Sequence, residues 1–427
     1  MSSRTGSRLA SAFLGYLLGV VVLVTLVPFD FSAAAPHNLL WGGALSDALA
    51  NVAMFVPLGF LFRLTREPRG DRWGIQPLFL GLLLSALIET AQLFLPSRLS
   101  SPLDVATNGL GAWLGAIAAD ALVRRLRPAP ALVGALALEL PLIGLVYLLV
   151  PLLWLSGLTA ADEPARMSLS LLLGLMGAII LGAVYRNRFA PEGNVSVAQF
   201  SVLAAAWYLI GAVPGLVEHP LLALASGLLV AGATGIWSRR WAHEQQRADR
   251  RFEGETLTWL APVLGLYLVC LAGWPPWAPM VAWHGEWGLR GFWGSADTTA
   301  ILRALEQLAA FTVVGYAVAE YHGRRELRFS QSGALVAICA LGGSAVVKVV
   351  AALHPGAGAS ALRGLLSMVV AGYGGGIYHL QRAHIRSLLG AKGAPRPAEA
   401  PTRGTATSPR LAQNARIEAP MSAGRRG

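Results

Sequence analysis

The residues with the clearest capacity for chemistry are polar side chains that interrupt long apolar segments. Glu89 and Gln92 lie one helical turn apart in one segment, and Asp104 and Asn108 stand at i, i+4 in the next. Each pair therefore shares a helix face. Ionisable and amide groups are costly in hydrocarbon, so these residues are the first candidates for a binding site.

A short loop joins these two segments and adds a cation to the group. Arg98 lies in this loop, and Glu89 lies about 10 Å below the outer end of its helix at 1.5 Å per residue. An acid–arginine–amide cluster of this kind would bind a polar ligand at one level of one leaflet. The sequence predicts that the following residues converge there: Asn51, Glu89, Gln92, Arg98, Asp104 and Asn108.

Several of these residues also have a purely structural interpretation. Glu89 can simply pair with Arg98. Asp104 lies near a predicted helix N-terminus, where the macrodipole stabilises an acid. Gly111 and Gly115 continue the face of Asp104 and favour a helix-packing surface. For Glu89 and Asp104, the sequence leaves ligand binding and a structural role open.

The composition places this chain in a membrane. Of its 427 residues, 55% are hydrophobic and 13% are charged, against about 25% charged in a soluble domain. The mean hydropathy is +0.54, and a water-exposed surface does not carry so much apolar area. A soluble enzyme, a DNA-binding domain and a disordered scaffold are excluded, and the lipid bilayer is the first partner expected. Cys270 and Cys339 lie within apolar runs and indicate neither a disulfide nor a metal site.

Segments of about 20 mostly apolar residues mark membrane-spanning helices. Twelve such segments predict an all-α polytopic membrane protein: 9–29, 45–64, 75–95, 103–123, 131–155, 167–186, 197–217, 219–237, 257–276, 299–320, 332–353 and 361–380. The connecting loops alternate between arginine-rich and arginine-poor, which by the positive-inside rule places both termini in the cytoplasm. The predicted location is a bacterial cytoplasmic membrane.

The spans group into three units of four helices, followed by a tail. The units are residues 9–123, 131–237 and 257–380, and residues 390–427 are predicted to be a basic, disordered cytoplasmic tail. Nine basic and two acidic residues in 381–427 supply +7 of the net charge of +11. Because the positive charge is concentrated there, it does not indicate nucleic-acid binding. Such a tail either touches anionic lipid or only retains the topology.

An ordered set of residues in the first unit carries a family resemblance. The set is Asn51-x-x-x-Phe55-x-Pro57-Leu58-Gly59-Phe60, then Ile88-Glu89-x-x-Gln92, then Arg98-x-x-x-x-x-Asp104-x-x-x-Asn108-x-x-Gly111-x-x-x-Gly115. It resembles the VanZ-like family, which is named for a teicoplanin-resistance protein. The resemblance covers residues 9–123. It implies a small helical membrane unit of the bacterial envelope, with a link to glycopeptide susceptibility in some members and no settled reaction.

Residues 257–380 echo the first unit. The segment 305–315 resembles 49–59 at an offset of 256, and matches at an offset of 259 pair Ser344 with Ser85, Pro355 with Pro96, Leu362 with Leu103 and Gly374 with Gly115. The two units have the same orientation, so we predict a degenerate second copy in parallel. Its counterparts of the polar cluster are Gln307, Lys348, Arg363 and Ser367.

In this register, the two acidic residues within the membrane segments of the first copy correspond to basic residues in the second copy. Glu89 becomes Lys348, and Asp104 becomes Arg363. A lone lysine in mid-span costs about 2.5–3.5 kcal/mol on insertion scales unless a partner satisfies it. Three partners fit: Glu89 across a pseudo-two-fold axis, Glu306 on the neighbouring helix, or an anionic group such as a lipid phosphate.

Three classes of function remain open. The first is a non-enzymatic envelope protein that handles a lipid-linked, cell-wall or exopolysaccharide intermediate at an outward-facing polar site. The second is a secondary transporter, although the long charged loop after the eighth span favours a 4+4+4 plan over 6+6. The third is an enzyme acting on polyprenyl-linked lipids, but the sequence lacks a His–acid metal spacing and a phosphate-cradling glycine motif. We favour the first class and expect no cofactor, metal or catalytic residue.

Overall fold

The chain folds into α-helices throughout the part that can be described. The computed structural model describes residues 2–33, 39–42, 44–65, 75–126, 130–190, 195–239, 252–283, 297–323, 329–354 and 361–393. These ranges contain thirteen α-helices and no β-strand, so the predicted all-α class is confirmed. The helices are α1 (Ser2–Leu26), α2 (Leu45–Thr65), α3 (Ile75–Gln92), α4 (Pro102–Leu126), α5 (Pro130–Thr159), α6 (Met167–Val184), α7 (Val197–Gly211), α8 (Val213–Glu218), α9 (Pro220–Arg239), α10 (Phe252–Ala272), α11 (Thr298–Gly323), α12 (Phe329–Ala352) and α13 (Ala361–Gly393).

Each predicted span coincides with a helix, and the differences arise mainly at prolines. The span predicted at 197–217 is divided into α7 and α8, because the chain turns at Ala212 just before Pro214, which is favoured only in the first turn of a helix. In the same way α10 ends at Ala272, ahead of two prolines. Helix α13 continues to Gly393, so residues 390–393 of the predicted tail are helical. Residues 394–427 lie outside the described residues.

The outer surface of the bundle is apolar. Nine helical segments among the described residues are long and apolar enough to cross a membrane. Leu83 and Leu87 on α3 are each 61% exposed, and Leu228 on α9 is 74% exposed. Large leucines in such numbers face lipid rather than water. The protein is a polytopic membrane protein.

Helix α5 forms the centre of the bundle. It is almost entirely apolar, as a largely surrounded helix must be, and Leu148, Leu149 and Leu152 on it are completely buried. It packs against α6, α7, α11 and α13. Helix α1 packs against both α2 and α13. Helices α1 and α5 therefore lie between α2–α4 and α11–α13.

Glycines set the close approach of α2 to α4 and of α11 to α13. A Cβ added at Gly59 would collide with the backbone carbonyl of Ala112, and one added at Gly115 would collide with that of Val56. The predicted packing role of Gly111 and Gly115 is therefore confirmed, because a Cβ at Gly111 would likewise meet the backbone of α2. Contacts of the same kind join α11 to α13, where Gly315 meets the carbonyl of Ala371 and Gly374 meets that of Thr312.

Candidate functional site

The acids predicted in the first unit lie near the C-terminal end of α3 and the N-terminal end of α4, which the loop 93–101 joins. The Glu89 carboxylate accepts a hydrogen bond of 2.7 Å from the Ser101 backbone N–H, and the Ser100 side chain also bonds it. Asp104 stands in the first turn of α4, where the helix dipole favours an acid, and it is hydrogen-bonded by Asn51. Asn51, Glu89 and Asp104 are therefore close to one another in the structure.

Asn108 lies one turn deeper in the same group. Its side-chain N–H donates to the Ser85 hydroxyl at 2.8 Å, between α4 and α3. Its Oδ1 atom is buried without a hydrogen-bond partner among the described residues, and so is the hydroxyl of Ser101. The cluster therefore retains two buried polar atoms that a water or a ligand would satisfy.

Gln92 and Arg98 point elsewhere, toward the end of α1. The Gln92 amide donates to the carbonyl of Thr25 at 2.9 Å, and the Arg98 guanidinium donates to that of Val27 at 3.0 Å. Burial lowers the pKa of Arg98, and the charge of Asp30 opposes this shift. These two side chains attach the loop after α3 to the first helix. The structure therefore brings four of the six predicted residues together and separates two.

Backbone segments close over the first cluster. The Leu40 N–H donates to the Ser100 carbonyl at 2.9 Å, and Leu39 forms an isolated bridge with Ser100. Ser100 is thus held between this segment and Glu89. Only 7% of Glu89 remains exposed, and its carboxylate already accepts two hydrogen bonds. The Glu89 carboxylate is therefore buried and hydrogen-bonded within the protein, whereas Asn51 and Asp104 are half-buried.

The corresponding end of α11–α13 is open. A cavity of about 440 Å³ lies between α10, α11, α12, α13 and the connection from α5 to α6. Its polar lining is Thr159, Asp162, Glu163, Arg166, Asp297, Thr299, Arg303, Gln307, Ser344, Lys348 and Arg363. We call it the cation cavity, because basic side chains reach it from α11, α12, α13 and the α5–α6 connection.

Three of the four predicted second-copy residues line the cation cavity. Gln307, Lys348 and Arg363 come from three different helices. The fourth, Ser367, lies one turn below Arg363 and accepts a hydrogen bond of 3.3 Å from the Gln307 amide. The predicted set therefore meets at one place.

A buried ion pair forms the floor of the cation cavity. Arg166 and Glu306 are both completely buried, and the Arg166 guanidinium donates to the Glu306 carboxylate at 2.8 Å. Thr159 and Tyr267 also donate to this carboxylate, at 3.0 and 2.9 Å. The Arg166 guanidinium lies 5.4 Å from the centre of the Trp274 ring, within cation–π range. Glu306, which the sequence offers as one partner for Lys348, bonds three groups from α5, the α5–α6 connection and α10.

The rim of the cavity is mixed in charge and partly exposed. Arg303 pairs with Glu163 at 3.2 Å, with 37% and 34% of the two side chains exposed. Asp162 and Asp297 lie at the same rim and are exposed. Lys348 and Arg363 are half-buried, so their charges face the cavity from a medium of low polarity. Such an arrangement favours a bound anion, because guanidinium and ammonium groups form strong charge-assisted hydrogen bonds with phosphate and carboxylate oxygens.

The described residues offer no metal chemistry. No group of three or more His, Cys, Asp or Glu side chains among them is arranged to hold a metal ion. The basic side chains of the cavity can bind and orient an anion.

Sequence reasoning missed the floor and rim of the cavity. In the sequence, Asp162, Glu163 and Arg166 form a charged cluster directly before α6, which hydropathy identifies only as a loop. That cluster and the acidic Glu306 inside an apolar helix are the sequence features that could have indicated a buried ion pair. Their partnership joins residues 140 positions apart, and helix periodicity does not reveal such a pair.

Comparison with known proteins bears on the first unit. A family model described as VanZ/LLP1 matches residues 4–124. No curated protein and no solved structure matches the chain. The matched segment spans nearly all of α1 to α4, and it includes the motif residues from Asn51 to Gly115. Residues 4–124 are therefore similar to the VanZ/LLP1 family, within a longer polytopic membrane protein.

Proposed function

We propose that this VanZ-like protein binds, without turning it over, the anionic headgroup of a lipid-linked envelope intermediate in the cation cavity. The intermediate would be a polyprenyl-linked or other cell-wall or exopolysaccharide precursor. The observation that carries the proposal is the convergence of Arg303, Lys348 and Arg363 on an open cavity of about 440 Å³ at the end of membrane-spanning helices. Altered susceptibility to glycopeptides such as teicoplanin is one expected consequence of such binding.

The chemistry and position of these cations favour a phosphate carried by a lipid. Ammonium and guanidinium groups form charge-assisted hydrogen bonds with phosphate oxygens, and Lys348 lies near the end of an otherwise apolar helix. Gln307, Ser344 and Thr299 add hydrogen-bonding groups to the same wall. A cavity with this lining accommodates a charged headgroup and its first polar substituent, while an attached hydrocarbon chain remains in the bilayer.

Matched backbone contacts support the proposal that α11–α13 is a second copy of α2–α4. Adding 256 to a position in α2 and 259 to a position in α4 turns the Gly59–Ala112 contact into Gly315–Ala371. The same offsets turn Gly115–Val56 into Gly374–Thr312. Two close contacts of one helix pair thus follow the same offsets in the other, which supports the proposed repeat.

The outward orientation of the cavity is also part of the proposal. The loops after α5, α10 and α12 carry few arginines, whereas those after α4, α9 and α11 are arginine-rich. By the positive-inside rule this pattern favours an outward-facing cavity. Alkaline-phosphatase fusions at 98, 160 and 285 should be active, and fusions at 70, 126, 245 and 400 should be silent. Activity at 245 would contradict both the orientation and the division into three units.

Binding can be tested on the full chain in nanodiscs with fluorescent undecaprenyl phosphate as the probe. The wild-type protein should retain the lipid, and Lys348→Met and Arg363→Gln should each lower the affinity by about tenfold, the equivalent of one lost charge-assisted contact. Lys392→Met is the matched control, because Lys392 is the other lysine of the chain and lies near the end of α13.

The outcomes separate the function classes. Retention of unchanged lipid that depends on Lys348 supports the proposal. Conversion of the lipid to a product would show an enzyme, and uptake into sealed liposomes would show a transporter. Equal retention by wild type and Lys348→Met would contradict the assignment of the cavity.

A further inference from the structure

A second large cavity lies in the opposite half of the bundle. It has a volume of about 460 Å³ and lies between α5, α6, α10 and α11. Its walls include Leu149, Met176, Leu264 and Val314, with Tyr321 and His322 at one end. We call it the acyl groove. None of its lining residues belongs to the cation cavity.

The acyl groove follows one continuous face of α10. Leu257, Ala261, Leu264 and Leu268 line it at spacings of three and four residues, which keeps them on one helix face. From Leu257 to Leu268 the face extends about 16 Å at 1.5 Å per residue. The groove is therefore an elongated apolar slot along the helix, a shape that suits one extended hydrocarbon chain.

The groove opens sideways to the membrane. Ala261 and Gly265 on its α10 wall are exposed. A Cβ added at Gly265 would meet no other atom within 4 Å. The missing side chain at Gly265 thus leaves a gap through which a chain from the surrounding lipid can enter without passing through the protein.

Basic residues lie beyond the end of the groove that carries Tyr321 and His322. Arg186 and Arg188 directly follow α6, whose Ile180 lines the groove, and Arg239 is in the last turn of α9, which packs against α6. The loop charges predict that this end faces the cytoplasm. An apolar slot whose neighbouring helices end in arginines on the cytoplasmic side matches the two parts of an anionic phospholipid.

We propose that the acyl groove binds one acyl chain of an anionic phospholipid from the cytoplasmic leaflet, with the headgroup beside His322. This site is separate from the cation cavity. The Arg166–Glu306 floor lies between the two, and it is completely buried. The lipid therefore occupies its own site and does not compete for the proposed envelope ligand.

The test is native mass spectrometry of the full-length protein in detergent, titrated with phosphatidylglycerol or with phosphatidylcholine of the same chains. Gly265→Leu should fill the slot and lower the affinity for the first phosphatidylglycerol by about tenfold or more. Gly342→Leu is the matched control, because Gly342 also has no atom within 4 Å of its Cβ position and lies on α12, away from the groove. Both variants should accumulate normally in the membrane.

Each arm can overturn the inference. Unchanged phosphatidylglycerol binding by Gly265→Leu would show that the groove is not the site. Equal affinity for phosphatidylcholine would show that the headgroup charge is not recognised. Loss of phosphatidylglycerol binding in Lys348→Met, with Gly265→Leu unaffected, would place the lipid in the cation cavity instead. Normal phosphatidylglycerol binding by Lys348→Met is expected, whatever the outcome of the test with undecaprenyl phosphate.

Discussion

Helices α2–α4 and α11–α13 share a backbone arrangement but carry opposite charges at the ends where their polar residues gather. In the first set the ionisable residues there are Asp47, Glu89 and Asp104, and in the proposed register their counterparts are Arg303, Lys348 and Arg363. All three acids become bases. The glycine contacts between the helices stay the same in both sets. In this pair of units the packing is kept and the chemistry of the helix ends is changed.

The difference extends to access. In the first set, the segment 39–42 pairs with Ser100 and closes the cluster. In the second set, the neighbouring α5–α6 connection supplies Arg166 to a floor below an open cavity. A buried, internally satisfied carboxylate stabilises a fold, whereas basic side chains around an open volume favour an anion. This difference supports the proposal that the ligand binds at the second cluster, and it leaves the first cluster with a structural role under that proposal.

The largest expected effect tests the shared packing. Gly59→Ala and Gly315→Ala each introduce a Cβ that collides with a backbone carbonyl, and backbone cannot move aside as a side chain does. Overpacking typically costs about 1–3 kcal/mol even where side chains can adjust, so both variants should lose most of their membrane abundance on quantitative immunoblots. Gly19→Ala and Gly342→Ala, which meet no atom within 4 Å, should accumulate normally. If only one of Gly59→Ala and Gly315→Ala loses membrane abundance, the helix packing of the two units is not equivalent.

The next effect belongs to the second unit alone. Glu306→Gln leaves the Arg166 charge buried beside a neutral amide, and breaking a buried pair typically costs about 3–5 kcal/mol. We expect a clear fall in thermal unfolding temperature in detergent. The position that corresponds to Glu306 is Ala50, and Ala50→Gln should have a much smaller effect. Replacing the pair together, as Arg166→Met with Glu306→Leu, should restore part of the stability, because the Tyr267 hydroxyl still loses its acceptor. Adding Tyr267→Phe should recover more of it, and a triple variant no more stable than Glu306→Gln would contradict this account of the pair.

Exchanging the charges of the two units is expected to have an intermediate effect. In Glu89→Lys the Ser101 N–H loses its acceptor, which costs about 1–3 kcal/mol in a buried site. In contrast, Lys348→Glu should accumulate but lose binding of undecaprenyl phosphate. Glu89 lies on α3, which packs against α1, α2 and α4, while Lys348 lies on α12, which packs against α10, α11 and α13. The double swap should therefore add the two defects, measured as abundance and lipid retention. Recovery in the double swap would instead establish direct pairing between the copies.

Local sequence patterns predicted the fold better than the site. Hydropathy located every span, because a membrane helix must be apolar over a fixed length, and small residues at i, i+4 indicated the packing face of Gly111 and Gly115. The internal register also anticipated that Gln307, Lys348 and Arg363 would share a site. Gln92 and Arg98 were assigned to the wrong neighbours, since the course of the loop after α3 determines their direction. The Arg166–Glu306 pair was missed because it depends on a long-range contact.

The smallest expected effect concerns the rim of the cation cavity, where a charge can be removed with little change in the stability of the protein. Arg303 occupies the position that corresponds to Asp47, and its pair with Glu163 is more than one-third exposed on both sides. Exposed pairs contribute about 0–1 kcal/mol, so Glu163→Gln should leave the unfolding temperature nearly unchanged. Removing this acid leaves Arg303 available to an anion, and the affinity for undecaprenyl phosphate should rise by about threefold at low salt. The gain should shrink as ionic strength increases, because salt screens exposed charges.

Arg303→Gln should lower the affinity for the lipid and should change the stability as little as Glu163→Gln does. If both variants bind the lipid as the wild type does, the ligand does not reach the rim, and recognition is confined to Lys348 and Arg363.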